Sequence, residues 1–192
     1  MADLLTHVLV VAAVGTLAAR RGLVARRFLP LAAVGAVAPD ATKLTLLLGV
    51  QWGRVGGIPY SAWGYHTLGG VAVVAALGAV IVRRGDRGPA ALALAAGGVS
   101  HLCLDLLVIR ADGVAPPYLY PLTDWLPPAG NVYLSSDYWP AVVACCLAGL
   151  VWLLDRHVDP PTDDPPDGHV ADDEPSDGHA ADDTPPTDDR EP

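Results

Sequence analysis

The chain has 192 residues, 52% of them apolar, and a formal net charge of −9. Its 20 glycines, single Phe and single Met suit a small helical membrane protein with Gly- and Ala-lined helix contacts, and exclude a disulfide-stapled secreted domain. Charge is uneven: residues 1–158 hold 11 basic and 8 acidic side chains, for +3, while residues 159–192 hold 1 basic and 13 acidic, for −12. No basic stripe marks a nucleic-acid partner.

The first apolar run, Leu4 to Ala19, is interrupted only by Thr6 and His7. Asp3 precedes it, and Arg20, Arg21, Arg26 and Arg27 follow it. A signal peptide carries its positive charge before the apolar stretch, so this run reads as a retained membrane helix. The second run, Phe28 to Val50, contains Pro39-Asp40 and then Lys43. Proline removes a backbone donor and restricts the residue before it, which predicts a broken helix. Such breaks occur at membrane depth where they are buried in protein or line a polar cavity. Lys43 is placed to pair with Asp40.

A Gly- and aromatic-rich loop, Gln51 to Tyr65, leads to the third run, His66 to Val82, which ends at Arg83, Arg84 and Arg87. The fourth run is Pro89 to Ile109 and carries Ser100-His101-Leu102-Cys103-Leu104-Asp105. Its length is near the roughly 20 residues a spanning helix needs. His101 and Asp105 are four apart and share one helix face. An Asp at the centre of a spanning helix costs about 2.5–3.5 kcal/mol to insert, so such a pair is a functional-site hypothesis. A loop from Arg110 to Asp137 follows, too long for a bare connector. The fifth run is Tyr138 to Leu154.

The remainder is a Pro/Asp-rich tail with a ten-residue repeat, beginning at Asp167-Gly168-His169 and again at Asp177-Gly178-His179. It has too few apolar groups to offset the entropy of ordering. The expected organisation is therefore an all-α integral membrane bundle of about five transmembrane helices over residues 1–157, with a disordered acidic tail over 158–192. The cysteines, Cys103, Cys145 and Cys146, lie in apolar runs without CxxC spacing and read as small buried hydrophobes.

Arginine clusters after the first and third runs belong on the cytoplasmic side. Two runs separate them, so the assignment is self-consistent. It puts the N-terminus outside, the tail inside the cell, and the chain in the cell membrane as a multi-pass protein. His7, Asp40, His66, His101 and Asp105 then all fall toward the outer side. Three imidazoles and two carboxylates suit a divalent metal, zinc first, with manganese or iron as further choices. His66 also suits general acid–base work. Each residue has a plainer reading: His7 at an interface, Asp40 capping a restarted helix, His66 in a first helical turn, and His101 with Asp105 as a packing hydrogen bond.

The pattern of Thr6-His7, Pro39-Asp40, His66-Thr67, His101-x-x-x-Asp105, Gly113 and Tyr120-Pro121 resembles the YdjM-like membrane-bound metal-dependent hydrolases over roughly residues 5–125. That family pattern reads His, Pro-Asp-x-Asp, His-Arg-Gly-x-Thr-His-Ser, then His-x-x-x-Asp with a downstream Pro. It carries a distant likeness to zinc-dependent phospholipase C. The resemblance implies a hydrolase of phosphoester or lipid-like substrates at the outer membrane face. His7, Asp40, His66, His101 and Asp105 would be metal ligands, with Asp40 and His66 in the catalytic set. Two positions depart from the pattern: Asp40-Ala41-Thr42 lacks the second Asp, and only the second His of the His-Arg-Gly-x-Thr-His-Ser stretch is kept, as His66. The alternatives are a non-catalytic membrane protein with a structural or ion-binding cluster, and a small transporter with an interrupted helix at its site.

Overall fold

Helix α1 spans Leu4–Arg20. A 3-10 turn at Arg26–Phe28 leads into α2, Leu29–Val37, with Pro30 in its first turn. Proline suits that position, because the N–H it lacks would have no intrahelical partner. At Ala38–Asp40 the backbone tightens to a 3-10 helix and resumes as α3, Ala41–Leu47. The break expected at Pro39 is thus a change of helix type rather than a loop. The structure, a computed structural model, describes residues 4–49, 52–55 and 57–157. The acidic tail expected to be disordered lies outside the described residues.

Strands β1, Trp52–Val55, and β2, Ile58–Ser61, pair antiparallel with Trp52 opposite Ser61. This hairpin corrects the all-α expectation. Its cause is local: Gly57 adopts φ +84°, a left-handed conformation that glycine enters without steric cost. A 3-10 helix at Ala62–His66 then enters α4, Leu68–Ile81. Helix α5 runs Arg87–Leu106, and α6 runs Trp139–His157. The fold is mostly helical. Among the described residues, two helical segments are long and apolar enough to cross a membrane, Arg84–Leu106 and Trp139–His157. The apolar helices α1 and α4 are shorter, 17 and 14 residues, so the structure supports two spans by length where the sequence suggested five.

Helix α5 is central and packs against α2, α4 and α1, while α6 lies along α1. Small residues permit the close approaches. A Cβ added at Gly97 would collide with the Ala32 carbonyl, and one at Gly35 with the Leu94 backbone. Gly98 receives Val71 of α4 in the same way. Around this small-residue core the large apolar side chains point outward, including Leu17, Val34, Leu77, Leu92, Val142 and Leu150. An outer surface so rich in exposed Leu and Val marks contact with something apolar. Cys103, Cys145 and Cys146 lie on that outer surface and are not buried as expected. A position that faces lipid rather than protein carries the same apolar sequence signal.

The two arginine clusters meet. Arg27 pairs with Asp86 at 2.8 Å, joining the loop after α1 to the loop before α5. Arg26 reaches Asp155 near the end of α6 with two hydrogen bonds of 2.6 and 2.7 Å. His7, Asp40, His66 and Asp105 sit at the opposite ends of their helices. One pole of the bundle is therefore arginine-rich and the other carries the His/Asp residues.

The long loop caps the second pole. Backbone N–H groups of Leu68 and Gly69, at the open start of α4, donate to the carbonyls of Tyr118 and Tyr120 at 2.7 and 2.9 Å. The last carbonyls of α5, Leu106 and Leu107, accept from Gly130 and Val132 at 2.7 and 2.8 Å. Helix ends left without such partners would be costly in an apolar setting. Gly97→Leu is expected to cost at least the 1–3 kcal/mol typical of overpacking and to lower the unfolding temperature in detergent. Gly149→Ala, at a helix position with open space, is expected to leave it unchanged or raise it. Equal loss in both variants would contradict this packing account.

Candidate metal centre

His7 comes from α1, Asp40 from the 3-10 break, His66 from the 3-10 turn before α4, and His101 and Asp105 from α5. The structure brings all five together. The rings of His7 and His101 stack at 3.9 Å, and His66 meets His101 edge-on at 5.0 Å. His7 and His101 are each 1% exposed, so water does not satisfy their nitrogens.

His101 Nδ1 donates to the Ala36 carbonyl at 2.6 Å. A carbonyl only accepts, so this bond fixes the hydrogen on Nδ1 and leaves Nε2 as a bare lone pair in the neutral ring. That lone pair faces Asp40 Oδ1 and Asp105 Oδ2, each at 3.6 Å. His7 Nε2 stands 3.4 Å from Asp105 Oδ1. His101 Nε2, Asp40 Oδ1 and both ring nitrogens of His7 are buried without a hydrogen-bond partner. The His101 lone pair and the two carboxylate oxygens pointing at one another are unfavourable unless a cation lies among them. In a tetrahedral site with bonds of about 2.1 Å, donors are about 3.4 Å apart. The observed spacings match. The donor chemistry, imidazole with carboxylate, fits a divalent metal ion.

The donors form two overlapping sets, His7/His101/Asp105 and Asp40/His66/His101. They share His101, whose Nδ1 is already committed to Ala36, so its single free nitrogen points to one ion. His66 differs from the other two histidines. Its Nδ1 lies 3.3 Å from the Pro39 carbonyl and its Nε2 lies 2.8 Å from Asp105 Oδ2. The shorter contact, to Asp105, orients the ring, and the Pro39 carbonyl flanks its other nitrogen. His66 is thus held between the Pro39 carbonyl and Asp105.

Lys43 pairs with Asp40 Oδ2 at 2.5 Å, as its position three residues on in the sequence suggested. The pairing occupies one carboxylate oxygen and leaves Oδ1 aimed at His101. Thr67 proves to be the N-cap of α4, accepting from Gly70 N–H at 3.2 Å and donating to the Gly64 carbonyl at 2.7 Å. That clamp fixes the backbone beside His66. Counting back five residues through the His-Arg-Gly-x-Thr-His pattern places Ser61 where the first His belongs, and its hydroxyl is buried without a partner.

A family model described as YdjM inner membrane protein matches residues 1–158. The chain belongs to this family. No curated protein and no solved structure matches it. The YdjM match covers every residue of the His/Asp cluster, and membership places this chain among inner membrane proteins.

Sequence reasoning passed over Arg110 and Tyr118. Arg110 donates to the Tyr118 hydroxyl at 3.0 Å, and the Tyr118 ring lies 5.8 Å from that of His66. Burial, and then the charge of Asp105, push the Tyr118 phenol up to about 12. It is therefore neutral at working pH and does not cancel the Arg110 charge. The available signal was an arginine immediately after the fourth apolar run, at the opposite end from the arginine clusters. Nitrogen-15 NMR of histidine-labelled protein without added metal should show His101 protonated at Nδ1 only. Protonation at Nε2 would remove the lone pair on which the metal centre depends.

Proposed function

We propose that this protein is a membrane-embedded, single-metal hydrolase acting on phosphoester or lipid-like substrates. The observation that carries the reading is the convergence of three buried, unpartnered donor atoms, on His7, Asp40 and His101, beside the Asp105 carboxylate. A purely structural cluster would pair those atoms with one another, because each buried polar group left unmet costs about 1–3 kcal/mol.

His7, Asp40, His101 and Asp105 would hold the ion, with zinc the first choice for this donor set. When bound, a divalent ion supplies Lewis acidity at the centre. His66 serves as the proton-transfer group, because its Nε2 is already hydrogen-bonded to Asp105 and its side chain lines a cavity of about 210 Å³ beside the centre. Asp105 keeps that imidazole oriented, and the Pro39 carbonyl holds its other nitrogen. Lys43 holds Asp40 in place. A groove of about 1020 Å³, walled mainly by apolar atoms, runs past Tyr65, Leu68, Val73 and Leu122 on the flank of His66. Its continuity with the exposed apolar flank of α4 supports an acyl chain as occupant, and so a lipid-like substrate.

The arginine pole is proposed to face the cytoplasm and the metal pole the outer face, with both termini of the bundle following from that. Meeting of the two arginine clusters supports this orientation, since both then satisfy the positive-inside rule together. The chain would then be multi-pass, with the shorter apolar helices crossing beside α5 and α6. Reporter fusions at Gly85 and Pro160 should both read as cytoplasmic, and an external reading at both would reverse the orientation.

Purified protein should carry about one equivalent of zinc or manganese, lost in His101→Ala. His66→Gln should retain the metal and lose about 10²–10⁴-fold in hydrolysis of a chromogenic phosphodiester, the range typical of a missing acid–base group. Absence of metal from the folded wild-type protein would refute the reading and favour a non-catalytic cluster.

A further inference from the structure

We propose that Arg110, supported by Lys43, is a recognition site for a phosphoryl group presented to the His/Asp centre. The proposal rests on the reading of that cluster as a metal centre and names what the centre receives.

Arg110 and Lys43 come from separate elements, yet both line the cavity of about 210 Å³ that also exposes Asp40, His66 and Asp105. Both also line an adjoining cavity of about 520 Å³, which Asp105 and Asp112 share. Asp105, Lys43 and Arg110 therefore line both cavities. Lys43 is already engaged with Asp40. Arg110 is not paired with a carboxylate among the described residues. Its side chain makes one hydrogen bond, to the neutral Tyr118 hydroxyl. Its Nε is buried and has no partner. A guanidinium has five N–H donors in a planar fork. A role in holding the loop would use one of them and would leave Nε desolvated for no return.

Charge counting gives the class of ligand. One divalent ion and the carboxylates of Asp40 and Asp105 sum to zero, and Lys43 and Arg110 leave the centre at +2 with neutral imidazoles. Asp112 lines only the wider cavity, where its carboxylate accepts from the Val114 N–H at 3.4 Å. A neutral carboxylic ester has no use for two cations at the reacting centre. A phosphoryl group does: one oxygen can face the metal centre while another receives the Arg110 fork, a bidentate geometry that guanidinium and phosphate share. The phosphoryl group of a lipid headgroup and that of a soluble phosphate have the same chemistry here.

The test uses full-length protein loaded with manganese, whose paramagnetism broadens phosphorus NMR signals nearby. Inorganic phosphate is titrated in detergent, and phosphatidic acid is presented in nanodiscs of otherwise phosphatidylcholine. The proposal expects broadening of one or both signals. Broadening of inorganic phosphate assigns the site to free phosphate as well, whereas broadening of phosphatidic acid alone assigns it to a lipid headgroup. Arg110→Gln should weaken phosphate binding about 10–100-fold, the factor expected for losing a hydrogen-bonded charge pair, with manganese content unchanged. Arg110→Lys should recover part of the loss by keeping the charge without the fork. Lys43→Gln should lower both metal and phosphate binding, because Lys43 also steadies Asp40. If the wild type binds manganese but broadens neither signal, or if Arg110→Gln binds phosphate as the wild type does, the proposal is wrong while the metal reading stands. If the wild type binds no manganese, the metal reading itself has failed.

Discussion

The close approach of α2 and α5 is the constraint on which the rest depends. Gly35 and Gly97 remove the two side-chain carbons that would hold these helices apart. Only at that separation can His101 Nδ1 reach the Ala36 carbonyl. That bond selects the tautomer, and the tautomer turns a lone pair toward Asp40 and Asp105. A backbone contact between two glycine-bearing helices therefore decides the electronic character of the centre. Metal-binding histidines are commonly oriented by a backbone or carboxylate partner on the second nitrogen, and here the partner is a helix carbonyl.

Proline 39 adds the second half of the arrangement. By shifting the backbone to a 3-10 helix over Ala38–Asp40, it carries Asp40 into the bundle and puts the Pro39 carbonyl within reach of His66. His66 and His101 are thus both steadied by carbonyls from one short stretch of chain. Lys43 then divides the two oxygens of Asp40, holding one and leaving the other free. The long loop after α5 covers this pole by capping the open ends of α4 and α5, which ties the lining of the cavity to the helices that carry the ligands.

The same protein shows two faces of one energetic problem. Its outer surface is rich in exposed Leu and Val, while its otherwise apolar interior holds a few polar groups, among them His7, Asp40 and His101. An apolar exterior satisfies lipid. The buried donors are satisfied partly by carbonyls and partly not, and His7 Nε2, His101 Nε2 and Asp40 Oδ1 are among the unmet atoms, beside the Asp105 carboxylate. The lone pair of His101 facing two carboxylates is what favours a metal centre over a structural hydrogen-bond network.

Much of this was legible in the residues. His101 and Asp105 declared themselves by their spacing and by the cost of placing them in an apolar run. Pro39 announced the break, and Lys43 the partner of Asp40. The arginine clusters predicted a common pole, and Arg27 with Asp86 and Arg26 with Asp155 draw those loops together. Family motifs pointed to His7 and His66 as companions. Hydropathy, however, records only that a segment avoids water. It cannot tell lipid from protein, so the cysteines were misassigned, and of the five apolar runs two form helices long enough to span. The hairpin was hidden because its cause is the backbone freedom of one glycine rather than an alternating pattern. Arg110 and Tyr118 were hidden because their meaning depends on which side chains surround them. Residue types and their order on the chain determined the helices, the break and the donor set. Tertiary structure alone decided the tautomer of His101, the seating of His66 between Pro39 and Asp105, and the unpaired arginine, because each is a property of distances between segments far apart in sequence.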